Sequence, residues 1–165
     1  MTKRIDKVHK TCATIGGCAG LLGGIFLVSA VGSPLPILRL LAADAILPPL
    51  WLMGLLWLIG CVALGIAAGC VWTCPNGGPC REVLLWRGLV FLVAEVSFSF
   101  AWYSLLFEAF LMFPAWICLV IGVAAGIACT VTWFRAYRVS SLFCGGATLW
   151  LFYLTLCHLV VILHN

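Results

Sequence analysis

Charge is what this sequence has least of. Asp, Glu, Lys and Arg together make up 8% of its 165 residues, against about a quarter in soluble domains. Hydrophobic residues make up 65%, and so short a chain has too little interior to hide that much apolar surface from water. A water-soluble domain is excluded, and the chain reads as an all-α integral membrane protein. The net charge of +4 comes mostly from Lys3, Arg4, Lys7 and Lys10 at the N-terminus. Basic residues so few and so close to an apolar span mark membrane topology and give nucleic acid no footing. The motifs of ordinary catalysis are also missing. There is no Gly-rich phosphate loop, no nucleophile–base pair in sequence and no helical His-Glu metal motif. The missing C-x-x-C excludes a quinone-linked disulfide-forming enzyme. No catalytic residue and no metal ligand is assigned, and no cofactor is required.

What the chain has is apolar length. Pro48–Trp72 is a Pro-Pro hinge followed by an unbroken apolar stretch with no charged residue. About 25 helical residues rise roughly 37 Å, enough to cross a bilayer core of about 30 Å. Four more stretches of this kind predict a bundle of five transmembrane helices in one domain, residues 1–165. The expected spans are 11–31, 49–72, 82–107, 111–134 and 139–163. The first follows a basic leader as a signal peptide would, but it is too long for an h-region and is read as a retained helix. Residues 32–47 form the longest connection, with Ser33-Pro34-Leu35-Pro36 and room for a short surface helix over Arg39–Asp44. Lys3, Arg4, Lys7, Lys10, Arg81, Arg87, Arg135 and Arg138 fall on one side of the membrane and Arg39 on the other. That bias places the N-terminus in the cytoplasm and the C-terminus outside.

Ten cysteines are present, and seven of them lie inside apolar runs, where Cys acts as a small hydrophobe. Cys70, Cys74 and Cys80 flank the polar turn TCPNGGPC. Free thiols, a Cys74–Cys80 disulfide and a three-thiolate metal site all remain open there. Gly16, Gly20 and Gly24 recur every four residues, a stripe that lets another helix backbone approach closely. The partner is a helix of this chain or of a second copy, which allows a homodimer.

Glu95 is the costliest residue to keep where it stands. A carboxylate near the middle of a span is unfavourable by a few kcal/mol unless it is protonated or paired. At about 100° per residue, Glu95, Ser99, Trp102 and Leu106 share one helix face. Trp150, Leu154, Cys157, His158 and Val161 share another, and His158 is the expected partner of Glu95. A satisfied interhelical histidine and a ligand to a metal-containing tetrapyrrole are the two readings of His158. Trp51, Trp57, Trp102 and Trp150 are expected to form an aromatic cage for a flat apolar ligand. Trp86, Trp116 and Trp133 sit near span ends, where interfacial indoles occur without functional cause.

Taken together these stretches resemble the translocator protein, or tryptophan-rich sensory protein, family (TspO/MBR; peripheral-type benzodiazepine receptors), as a divergent, bacterial-like member. That family has five transmembrane helices and a Pro-Pro-x-Trp start to its second, with further Trp and Gly positions. Here these are Pro48-Pro49-Leu50-Trp51, Trp57, Gly65 and Trp72. The family's third helix carries Gln-x3-Asn-x2-Trp and a Phe pair, matched by Glu95, Ser99, Trp102, Leu106 and Phe107. Its last helix is matched at Arg135, Arg138, Trp150, His158 and Asn165. The departures are the first-loop Trp-Tyr and Lys-Pro elements, replaced over Ile37–Ile46, the last-helix Pro-Tyr, here Gly146-Ala147, and a fourth-helix Asp, here Cys118.

The resemblance implies a ligand-binding membrane protein, a sensor or transporter of protoporphyrin IX-like tetrapyrroles or of sterols and lipids. Its pocket would be lined by Trp51, Trp57, Glu95, Ser99, Trp102, Trp150, Leu154 and His158, with porphyrin or haem as the bound molecule. The membrane implied is the bacterial cytoplasmic membrane. Two alternatives stand beside this: a structural or assembly protein acting through its glycine stripe, and a weak porphyrin-degrading enzyme dependent on light.

Overall fold

A computed structural model describes residues 2–30, 50–72 and 79–164, with side chains described over 11–25, 51–72 and 82–164. Among the described residues there are five helices: α1 (Thr2–Ala30), α2 (Leu50–Trp72), α3 (Pro79–Phe107), α4 (Met112–Ala136) and α5 (Arg138–His164). Four of them, α2 to α5, are long and apolar enough to cross a membrane. In α1 the described apolar stretch is Thr11–Ile25, and the helix extends back through the basic leader to Thr2. The proposed surface helix over Arg39–Asp44 and the question of a Cys74–Cys80 disulfide lie outside the described residues.

The helices pack in the order α1–α2–α5–α4–α3, and α2 and α3 touch only sparsely. The order follows from where each helix carries small residues. A Cβ placed on Gly16, Gly20 or Gly69 would collide with the backbone of Gly65, Cys61 or Cys12 respectively. The α1 stripe therefore seats α2 of the same chain, running antiparallel and close enough for backbone-to-backbone contact. The stripe is occupied within the chain and does not present itself to a second copy.

The other three helices are built on a tighter repeat. Buried positions fall at Gly88, Glu95, Ser99, Trp102 and Leu106 on α3, and at Ala115, Leu119, Gly122, Gly126, Cys129 and Trp133 on α4. On α5 one seam runs through Cys144, Thr148, Leu151, Thr155 and His158, with Ala147, Leu154, Cys157 and Val161 buried beside it. Alternating steps of three and four are the 3.5-residue seam of a left-handed helical bundle. Glycines on the seam make room for large partners: Gly88 faces the Trp133 indole, and Gly126 faces Glu95 and Thr148.

The connections are short. α3 ends in a turn where Phe110 takes a left-handed conformation (φ 58°), which lets Leu111 N–H donate to Leu105 O at 2.9 Å. Pro114 sits in the first turn of α4, where its missing N–H has no helical acceptor to lose. One extended residue, Tyr137, separates α4 from α5, and its N–H donates to Trp133 O at 2.6 Å.

Candidate functional site

Where α2 meets α3 least, an open space remains. A cavity of about 40 Å³ lies between α2, α3 and α5, its wall formed in part by Trp57, Cys61, Glu95, Ser99, Ala147 and Trp150. The wall is otherwise apolar, and the Trp57–Trp102 pair stands on the α2–α3 side, with ring centroids 6.3 Å apart. A second indole pair, Trp72 and Trp86 at 6.0 Å, closes the same seam further along. A volume of that size holds about one water-sized group and is far below the roughly 300–1,000 Å³ of a drug-sized pocket.

Glu95 is 2% exposed. Thr148 Oγ1 lies 3.0 Å from its Oε1 and 2.9 Å from Cys144 O. Cys144 Sγ is 4.0 Å from Oε2. One hydroxyl hydrogen cannot serve two acceptors fully. The set closes when the carboxyl group holds the proton and donates to Thr148, which then donates to Cys144 O. One turn on, Ser99 Oγ donates to Glu95 O at 2.7 Å. The contacts of the Glu95 carboxyl with Thr148 and Cys144 tie α3 to α5 through the gap left by Gly126.

His158 does not pair with Glu95, contrary to the expectation from sequence. Its Nδ1 accepts a hydrogen bond of 2.9 Å from Trp102 Nε1. The reason is register. With Glu95 level with Thr148, the His158 ring falls ten residues further along α5, about 15 Å away, beside Trp102. The two polar groups occupy separate levels of the same α3–α5 contact.

Of the eight residues grouped from sequence, Trp57, Glu95, Ser99 and Trp150 line the cavity. Trp102, Leu154 and His158 are buried beside it. Trp51 is not brought to them: it is 70% exposed in the first turn of α2. The four-indole cage is therefore not formed. Trp150 instead stacks on Tyr153, with centroids 5.5 Å apart. Sequence reasoning missed Thr148, Cys144 and Gly126, which hold the Glu95 carboxyl. The signal for them was the run 144, 148, 151, 155, 158, a 3.5-residue seam beside the face assigned to α5, whose Leu154, Cys157, His158 and Val161 are also buried.

Fold and site together define an all-α integral membrane protein whose helical bundle holds a buried carboxyl and a tryptophan-lined cavity. It is a membrane protein of the translocator type. The family model for the TspO/MBR family matches residues 12–163, nearly the whole chain. The chain belongs to the TspO/MBR family. Neither the search of curated proteins nor that of solved structures found a match.

Proposed function

We propose that this protein binds an apolar ligand of the protoporphyrin IX or sterol/lipid type within the membrane, between α2, α3 and α5, as a sensor or transporter. The observation that carries the reading is the cavity itself, whose wall combines Trp57 and Trp150 with Glu95 and Ser99. Indole faces and a few convergent polar groups are the usual lining of a site for a flat apolar molecule. The cavity holds about 40 Å³, and a tetrapyrrole gains room when α2 draws away from α3. The sparse contact between those helices supports that route. The positive-inside bias supports an N-terminus in the cytoplasm and a C-terminus outside, and the family resemblance is what suggests a bacterial cytoplasmic membrane.

Protoporphyrin IX titrated into the purified protein is the test. Tryptophan quenching that saturates, and that weakens at least tenfold in affinity in Trp57→Phe, supports the assignment. Absence of quenching, or an affinity unchanged in Trp57→Phe and Trp150→Phe, refutes it.

A further inference from the structure

Two cysteine thiols meet inside the three-helix body. Cys129 on α4 and Cys144 on α5 are both 0% exposed and belong to one buried cluster with Ala67, Val71 and Trp133. The α4–α5 hairpin sets them level. Cys129 lies eight residues before Tyr137, the single connecting residue, and Cys144 seven after it, rises of about 12 Å and about 10 Å along the two helices. The thiols interact directly with each other. Cys129 Sγ–H also donates to Gly88 O at 3.2 Å, and Cys144 Sγ is 4.0 Å from both Glu95 Oε2 and Gly126 O. Packing as a small hydrophobe accounts for one buried cysteine at a time. It does not account for two thiols brought together beside a buried carboxyl.

Glu95 also links the pair to the cavity, whose wall it helps to form. At about 40 Å³ that space selects a small, uncharged oxidant, and hydrogen peroxide, little larger than water, fits the description. We infer that Cys129 and Cys144 are an oxidisable dithiol, which hydrogen peroxide converts to a disulfide joining α4 to α5. Cys144 Sγ attacks one peroxide oxygen and the O–O bond breaks. The attacking sulfur must shed its proton: Glu95 Oε2 takes it while Oε1 gives its own to the departing hydroxide, which leaves as water. Cys144 is then a sulfenic acid, oxidised by two electrons. Cys129 Sγ attacks Cys144 Sγ, the S–O bond breaks, and the hydroxide departs with the Cys129 proton as a second water. Two thiols and one peroxide thus give one disulfide and two waters. Oxidation removes the S–H donors to Gly88 O and Glu95 Oε2 on α3 while joining α4 and α5 covalently. The inference stands apart from what the cavity binds.

In the experiment the reduced protein in mild detergent is treated with hydrogen peroxide, denatured in an alkylating agent and mapped by mass spectrometry. The expected product is a Cys129–Cys144 cross-link two hydrogens lighter than the reduced pair, and dithiothreitol should restore both thiols. In Cys129→Ser the Cys144 sulfenic acid has no thiol to resolve it and should pass on to sulfinic acid. In Cys144→Ser, Cys129 should oxidise at least about tenfold more slowly than in the wild type, because the carboxyl serves Cys144. Glu95→Gln keeps the packing but cannot exchange a proton, and should slow disulfide formation several-fold. The wild-type map needs no variant, and variants are compared only where gel filtration shows the wild-type elution. Absence of the Cys129–Cys144 cross-link at peroxide levels that oxidise the exposed Cys18 overturns the inference. Oxidation of Cys129 at the wild-type rate in Cys144→Ser overturns it too, and an unchanged rate in Glu95→Gln overturns the route through Glu95.

Discussion

Replacing Gly126 with alanine asks whether the Glu95 carboxyl is lodged against α4. On an open helix face the change stabilises by about 1 kcal/mol through helix propensity alone. Here the new Cβ would stand 2.5 Å from Thr148 Oγ1 and 2.6 Å from Glu95 Oε1. Both atoms belong to the bond that joins α3 to α5. Neither retreats freely, because Thr148 is also held by Cys144 O and a Glu95 carboxyl that swings toward the cavity gives up its Thr148 bond. Overpacking costs about 1–3 kcal/mol, and parting a buried hydrogen-bonded pair costs about 1–3 kcal/mol more. With the propensity gain subtracted, the net loss is about 1–5 kcal/mol. Unfolding of the purified protein by sodium dodecyl sulfate from mild-detergent micelles measures it. The mechanism is isolated by a cycle with Glu95→Ala, which removes the obstructing carboxyl and leaves Thr148 bonded to Cys144 O. In that background Gly126→Ala should cost at least about 1.5 kcal/mol less. A Gly126→Ala protein as stable as the wild type, or a cycle that is simply additive, would refute the packing described for this level of the bundle.

Other outcomes follow from the same geometry. Glu95→Gln should keep stability within about 1 kcal/mol, since the amide N–H can donate to Thr148 as the acid does; a larger loss in the same unfolding assay would show that a charge is needed. Gly20→Leu should separate α1 from α2 and lower stability by more than about 3 kcal/mol, with the oligomeric state of whatever remains folded unchanged by light scattering in detergent. Trp102→Phe removes the donor to His158 Nδ1 and should cost about 1–2 kcal/mol, accompanied by a shift in the His158 ring nitrogen signals. Trp51→Phe should leave porphyrin quenching affinity unchanged, because Trp51 stands apart from the cavity.

Much of the fold is legible in the sequence because hydropathy and length decide it. The spans needed no partner information, and the inward face of α3 follows from the helical repeat once Glu95 must be hidden. The pairings were not legible. Whether Glu95 meets Thr148 or His158 depends on the axial offset between α3 and α5, two helices separated in sequence by the whole of α4. Nothing in either helix alone encodes that offset; it is set by where Gly88, Gly122 and Gly126 let α4 sink between them. The sequence pattern groups Trp51, of the Pro-Pro-x-Trp element, with Trp57, yet the two are six residues apart and 600° of helix rotation leaves them on different faces. The glycine stripe on α1 was visible as a close-packing surface, but the choice of α2 over a second copy required the matching Gly65 and Gly69 to be seen opposite it.

The polar and small residues divide the labour between two parts of the bundle. α3, α4 and α5 are stitched across by side chains: Glu95 with Thr148, Trp102 with His158, and Cys129 Sγ–H with Gly88 O at 3.2 Å. α1 and α2 are closed on each other by glycine contact over 12–24 and 58–69. α2 meets the three-helix body mainly along α5, and on the α3 side chiefly through the indole pairs Trp57–Trp102 and Trp72–Trp86. Parting two indole pairs exposes apolar surface to lipid, which is as apolar as the indole neighbours it replaces, so the hydrophobic penalty that would resist this in water is largely missing. The α3–α5 bonds carry no such discount, since an acid or hydroxyl stranded in lipid has no other partner. Under the proposed function, the seam that opens is therefore α2 from α3. The cavity residues Glu95, Ser99 and Trp150 then stay on the part that does not move. Recognition is then preorganised while access is not, and changes at Trp72 or Trp86 should alter the rate of ligand entry more than the affinity, whereas changes at Trp150 should do the reverse.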